Sequence, residues 1–329
     1  MHKENSFVRI KEVSKWYAHK KNISIFRSNK KWIKAIDKIS IKIDRGQVLG
    51  VIGESGCGKS TLGKVLARLE EPTFGDIYID GFSTEKLITE DAKKFRRLVQ
   101  IIFQNPFDTF TPRSTIEDIM MRPLKLHNIE DEAGARKDII IKSLLSGGLY
   151  PAEEILKRYP HELSGGQLQR ISILRAMLLN PKFVIADEPV SMLDVSVRAE
   201  IINMLKRLSK EKNAAVVFIS HDIALTRYIS HKVAVMYLGK IVEYGDCDEI
   251  INNPKHPYTK VLISNCPSID PAEEMMKIEI KGEPPTPLNP GPGCYFAPRC
   301  YQSTAECFKK YPATKDVGTD HLVACDILN

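Results

Sequence analysis

The sequence predicts an α/β fold with a largely parallel sheet, and three observations carry that reading. Short apolar runs of strand character alternate with helical stretches from about Phe7 to Val242. One run, "GQVLGVIG" (Gly46 to Gly53), opens through a glycine-rich turn onto a helical pattern, the strand–loop–helix join of such folds. The chain of 329 residues is 43% hydrophobic, enough to bury a sizeable core in one large domain or two unequal ones.

Taken in order, "GQVLGVIG" reads as a buried strand, and "STLGKVLARL" places Leu62, Val65, Leu66 and Leu69 at helical spacing. Thr115 to Lys157 reads as helical throughout, an insertion standing apart from the sheet. "FVIAD" and "AAVVFIS" read as two further buried strands, with Val197, Ile201, Leu205 and Leu208 marking one face of the helix between them. Beyond about Asn253 the character changes. "PKHPYTKVL" resembles a docking helix, "GEPPTPLNPGPG" reads as a proline and glycine hinge, and a cysteine-rich tail follows.

The longest apolar runs, such as "AAVVFI" from Ala214, fall short of the roughly 20 residues of a membrane helix. The polar start "MHKENS" lacks a signal-peptide apolar region, so a cytosolic protein able to dock on a membrane complex is expected. A formal net charge of +7 argues only weakly for nucleic acid or anionic lipid. The basic stretch from Lys20 to Lys34 reads as a solvated loop. Seven cysteines in a reducing compartment are expected as thiols rather than disulfides.

"GESGCGKST", Gly53 to Thr61, fits the phosphate-loop pattern G-x-x-x-x-G-K-[ST] between a buried strand and an amphipathic helix. Gly53, Ser55, Gly56, Cys57 and Gly58 supply backbone that can converge on phosphate oxygens, and the helix N-terminus adds positive potential. Lys59 would bridge the β- and γ-phosphates, and Ser60, followed by Thr61, would ligate magnesium. "FVIADE" ends an apolar strand in two acids: Asp187 suits magnesium, and Glu188 remains for the attacking water. His221 in "FISHD" and Gln104 in "IIFQNP" also follow strands. His221 is either structural or a γ-phosphate contact, and Gln104 is a neutral contact to metal or water.

A second glycine turn, "LSGGQ" with Ser164, Gly165, Gly166 and Gln167, opens another helix without any lysine. With the phosphate loop, Gln104, "ADEP", "SMLD" and "SHD" in the same order, the chain resembles the ATP-binding subunits of ABC transporters over nearly its whole length. That resemblance implies a P-loop NTPase of ABC type with a RecA-like core sheet, an antiparallel β subdomain, a helical subdomain at about 113–180 and a small cysteine-rich C-terminal extension. It implies an ATPase domain over 1–252 and a transporter-type C-terminal domain over 253–329. It also implies a head-to-tail dimer in which the Ser164 turn completes the partner's ATP site, so that its lysine lies on another chain.

Carried over by motif, Glu188 is the general base or water-orienting group, His221 the switch residue, Gln104 the link from nucleotide and metal to the membrane partner, and Asp194 a dimer-interface residue. Tyr17 in "SKWY" matches the aromatic that stacks on adenine, with Trp16 as an adjacent alternative. Val190 and Met192 in "VSMLD" depart from the more frequent "TSALD", and neither replaces a catalytic group.

"NPKHPYTKVL" and "GEPPTPLNPGPGCYFAPRC" resemble the C-terminal region of oligopeptide and dipeptide importer ATPases, a group that includes nickel and sugar importers. "LSGGQLQR" resembles the F-type member of their ATPase pairs. The resemblance implies ATP with Mg2+, a second homologous ATPase subunit, two integral-membrane permeases, an extracytoplasmic solute-binding protein, and a peripheral place on the cytoplasmic side of the membrane. No nucleic-acid partner is expected. A soluble or an exporter ABC ATPase is the rival class; the tail and the absence of a second cassette or long coiled-coil insertion speak against it.

Cys294, Cys300, Cys307 and Cys325 form C-x5-C-x6-C-x17-C, not the C-x2-C pairing of a zinc ribbon. They read either as free thiols or as ligands of an iron–sulfur cluster, and the resemblance implies a [4Fe–4S] cluster in some members of the group. Cys57 lies inside the phosphate loop, where alkylation would block nucleotide. Cys247 and Cys266 have no such place.

Overall fold

A computed structural model describes residues 6–19, 31–266, 278–280, 282–318 and 320–328. Most of the basic Lys20–Lys34 stretch therefore lies outside the described residues. In chain order the elements are β1 (Val8–Ala18), β2 (Trp32–Ile43), β3 (Val48–Ile52), α1 (Lys59–Leu66), β4 (Phe74–Ile79), β5 (Phe82–Ser83), α2 (Thr84–Leu98) and β6 (Val99–Ile102). Then follow α3 (Ile116–Leu126), α4 (Ala133–Ser146), α5 (Ala152–Lys157), α6 (Gly165–Met177), β7 (Phe183–Asp187), α7 (Val195–Lys212), β8 (Ala215–Ile219), α8 (Ile223–Ile229), β9 (Lys232–Tyr237) and β10 (Lys240–Asp246). The chain closes with α9 (Cys247–Asn252), α10 (Pro257–Ser264), β11 (Lys315–Asp316) and β12 (Leu322–Val323).

These elements form two compact units, 1–43 with 48–81 and 218–329, and 44–47 with 82–217. In the first unit β1 pairs antiparallel with β2 and β4. Separately, β3 pairs parallel with β9, which pairs antiparallel with β10, and the tail strand β12 adds to β10. The parallel β3–β9 pair expected of the core thus continues into an antiparallel edge. The reason is local: Leu238 and Gly239 turn β9 straight back into β10, and such a two-residue hairpin joins only antiparallel strands.

The strands "VLGVI", "FVIAD" and "AVVFI" are buried at every position, as near-continuous apolar runs require when both faces are covered. Helix α1 buries Leu62, Val65 and Leu66 but ends there, because Arg68 turns into the left-handed region at φ 51°; Leu69, expected on the same face, is exposed. Helix α7 buries Ile201, Leu205 and Leu208, and Val197 is half-buried.

In the second unit β6 and β7 pair parallel, with Ile102 opposite Ala186. From Thr115 to Lys157 the described residues form α3 to α5 and no strand, and Thr115 starts α3 through a reciprocal cap with Asp118.

The expected hinge is not free. Lys34 donates its N–H to the Pro287 carbonyl (3.0 Å), and Asn289 meets Trp32 through its N–H to the Trp32 carbonyl (3.0 Å) and its Oδ1 from the Trp32 N–H (2.9 Å). Backbone left open along β2 is satisfied this way, and the proline-rich segment is pinned to the first unit. Among the described residues no helix is long and apolar enough to cross a membrane.

Candidate nucleotide site

In the first unit, the phosphate loop runs from the end of β3 into α1. Gly58 precedes the helix at φ 107°, and a Cβ there would sit 2.1 Å from the Ala35 carbonyl oxygen, so only glycine fits. Lys59 is buried, its ammonium donating to the carbonyls of Gly53 (2.7 Å) and Glu54 (2.9 Å), which holds the side chain over its own loop. Ser55, Gly56 and Ser60 are exposed. Cys57 is buried, and burial raises its thiol above the ordinary range; a neutral, covered thiol reacts slowly, so the expected alkylation site is poorly reachable.

His221 lies two residues beyond β8 and is exposed. Its neighbour Ser220 donates its N–H to the Val51 carbonyl (3.2 Å), two residues before the loop begins, so His221 and the loop share the carboxyl edge of the strands. Asp222 caps α8 by accepting from the Leu225 N–H (3.0 Å).

Tyr17 sits near the end of β1, its hydroxyl bonded to the Glu70 carboxylate and the Thr61 side chain. Burial, then the Glu70 carboxylate, pushes its phenol up to about 12. Trp16 is occupied: it packs edge-on against Phe74 (5.2 Å) under the Lys34 ammonium (4.6 Å).

In the second unit, the parallel register of β6 and β7 brings the residues just beyond both strands together. Gln104 Nε2 donates to Glu188 Oε2 at 3.1 Å, a pairing of two residues 84 positions apart. Glu188 holds φ 46°, an uncommon backbone state for a non-glycine residue, and Asp187 beside it is buried at the strand end.

Ser164 caps α6. Its hydroxyl accepts from the Gln167 N–H (3.2 Å), and Gln167 Oε1 accepts from the Ser164 N–H (3.0 Å). A Cβ on Gly166 would come within 3.2 Å of Val197, whereas a Cβ on Gly165 would meet nothing within 4 Å. Asp194 accepts from the Val197 N–H (3.0 Å) as the cap of α7, beside the exposed Met192 and Val195.

In the tail, Cys294, Cys300, Cys307 and Cys325 line one cavity of about 20 Å3 with Phe296, Ala297 and Ile327. Burial raises Cys294 to about 11, with the Cys325 and Cys307 sulfurs adding to it, and burial likewise raises Cys300 and Cys325. Among the described residues no three His, Cys, Asp or Glu side chains are grouped so as to hold a metal ion. Sequence reasoning gave no role to Glu54, Tyr258 or Arg299. In the fold Tyr258 and Arg299 close on the phosphate loop through Glu54, and their separations of 204 and 245 residues leave no periodic signal to find them by.

A family model described as "ABC transporter" matches residues 36–191, and one described as "Oligopeptide/dipeptide transporter, C-terminal region" matches residues 242–307. The putative oligopeptide transport ATP-binding protein YkfD of Bacillus subtilis (strain 168) is 42% identical over 300 residues, covering 91% of each chain. The dipeptide transport ATP-binding protein DppF of Escherichia coli (strain K12) is 45% identical over 293 residues, covering 89% of this chain and 86% of that one. The dimeric post-hydrolysis structure of the ATP-binding cassette MJ0796 with ADP and Pi superposes with a TM-score of 0.64 at 28% identity, covering 73% of this chain and 98% of that one. The chain thus belongs to the ATP-binding subunits of ABC transporters, transport-coupled ATPases, in the branch that carries the oligopeptide/dipeptide C-terminal region.

Proposed function

We propose that this subunit powers import of oligopeptides or dipeptides, working head-to-tail with a second homologous ATPase beneath two permeases, to which a solute-binding protein delivers the peptide. It would sit peripherally on the cytoplasmic side of the membrane. The observation that carries the dimer is Gly165. Among the described residues a Cβ there would meet nothing within 4 Å, which leaves the turn open to the close approach of a partner surface. The α6 N-terminus, capped by Ser164 and Gln167, offers backbone N–H groups and dipole potential to a phosphate, as a clamp on the partner's nucleotide requires. Exposed Met192 and Val195 beside Asp194 supply apolar surface for the same interface.

By the motifs it shares with the family, Lys59 would meet the β- and γ-phosphates and His221 the γ-phosphate, while in the second unit Glu188, held by Gln104, would orient or deprotonate the attacking water. Tyr17, its hydroxyl anchored, gives adenine a fixed platform. Ser60 and Asp187 are the residues whose motifs would each offer magnesium an oxygen donor, and the ion would supply charge neutralisation for phosphoryl transfer. In the second unit a groove of about 300 Å3, lined by Arg96, Arg122, Arg175, Ile119, Leu126 and Leu179, suits an amphipathic cytosolic helix of a permease.

Gly165→Arg tests the dimer. Open space around Gly165 lets the variant fold and bind MgATP, while ATP turnover and dipeptide uptake by the assembled transporter should fall at least about tenfold. Full turnover in that variant would refute the clamp.

For the tail, the four thiols that line one cavity are the donor type an iron–sulfur cluster takes, which supports a cluster there. Cys294, Cys300, Cys307 and Cys325 would hold it, and it would staple a segment too small to bury much apolar surface. Protein purified without oxygen should carry about four iron and four labile sulfide per chain, lost in Cys300→Ser. Iron-free protein with an unchanged melting temperature would reject the cluster.

A further inference from the structure

Arg299 ends the short turn Ala297–Arg299, immediately before Cys300. Its guanidinium grips Glu54 with two prongs, Nη1 to Oε2 at 2.7 Å and Nη2 to Oε1 at 3.0 Å. Nη1 also donates to the Tyr237 hydroxyl (3.3 Å), and Nη2 to the Gly282 carbonyl (3.1 Å). The rings of Tyr237, Tyr258 and Phe296 pack at 4.7–5.2 Å beside the pair. The Arg299 side chain is 7% exposed and that of Glu54 24%, so water screens the pair poorly.

Glu54 is the second residue of the phosphate loop. Its N–H donates to the Tyr258 hydroxyl (2.8 Å), and its carbonyl receives the Lys59 ammonium (2.9 Å). A carboxylate at this position works against a loop that gathers polyphosphate, because like charges in a poorly screened site repel. The bidentate fork cancels that charge and fixes the residue that carries it, which a single lysine ammonium would do less well.

We propose that Arg299 is a positioning residue for the ATP site: by neutralising and clamping Glu54 it makes the C-terminal region part of the phosphate loop's support. This rests on reading Gly53–Thr61 as the loop that binds ATP.

The test is equilibrium binding of MgATP to the purified full-length protein, with a melting curve for every variant. Arg299→Ala should weaken binding about tenfold, as expected for a charge-assisted bidentate pair lost from a half-buried site. Arg299→Ala with Glu54→Gln should bind MgATP at least about threefold more tightly than Arg299→Ala alone, because no uncompensated carboxylate remains in the loop. In steady-state turnover Arg299→Ala should raise KM and leave kcat nearly unchanged. An arginine that merely packs would not be rescued by Glu54→Gln, since the space it leaves persists. Should Arg299→Ala fail to fold, Arg299→Gln is expected to show the same loss and the same rescue. Natural affinity in the arginine variant, or no rescue in the double variant, overturns the proposal. Absence of MgATP binding in the natural protein would instead overturn the reading of the loop, and the inference with it.

Discussion

Replacing Glu188 with Gln should cut ATP turnover at least about a hundredfold and leave MgATP binding within about twofold, the range expected when a general base or water-orienting group is lost. The amide keeps the shape of the carboxylate and still offers an oxygen to Gln104 Nε2, which donates to Glu188 Oε2 at 3.1 Å. What disappears is negative charge and proton affinity at the water's position. The strained backbone of Glu188, at φ 46°, is retained because the side chain's size hardly changes. ATP binding would then close the two ATPase subunits without hydrolysis to reopen them. Size-exclusion chromatography of the variant complex in MgATP should show a closed species that the natural protein forms only transiently. Unchanged turnover would remove Glu188 from its role and return the search to His221.

Lys59→Ala should lower turnover to below about 1% and weaken MgATP binding at least about tenfold, the scale of losing a preorganised charge at a developing phosphate charge. The ammonium is buried and already held by the carbonyls of Gly53 and Glu54, so it reaches the phosphates without first being ordered. Lys59→Arg should not rescue: the planar guanidinium is larger than the buried ammonium and cannot make the same two short bonds inside the loop. Calorimetric titration with MgATP, alongside a melting curve, separates loss of binding from loss of fold. Natural affinity in a folded Lys59→Ala would refute the assignment of the phosphate loop.

The two proposals for the C-terminal region part company experimentally. Loss of iron in Cys300→Ser reports on the cavity formed by four thiols, whereas the exchange of Arg299 and Glu54 reports on the loop alone.

The candidate motifs could be picked out of the sequence because each is a short run whose residue types and local backbone are one thing. "GESGCGKST" needs its glycines next to its lysine, and the "SGGQ" cap needs serine three residues before glutamine. Buried strands were legible for a related reason, since a β-strand covered on both faces must be apolar at every position. The helical stretch after Thr115 was legible because none of its segments reads as a strand. The end of α1 was not: the left-handed turn at Arg68 stops the helix before Leu69 completes its apolar face.

By itself, the sequence determined the local motifs: a phosphate loop, an acid pair at a strand end, and a glycine turn that opens a capped helix. Each is set within a few residues by hydrogen-bonding and steric rules that act locally. Only the tertiary structure decided what lies across the loop and the strand ends. It set Gln104 on Glu188 through parallel register, pinned Lys34 and Trp32 to the proline-rich segment, and brought Tyr258 and Arg299 onto Glu54. Such contacts join residues tens to hundreds of positions apart, and they follow from where packed elements leave an unpaired charge or N–H to satisfy, which no local pattern records.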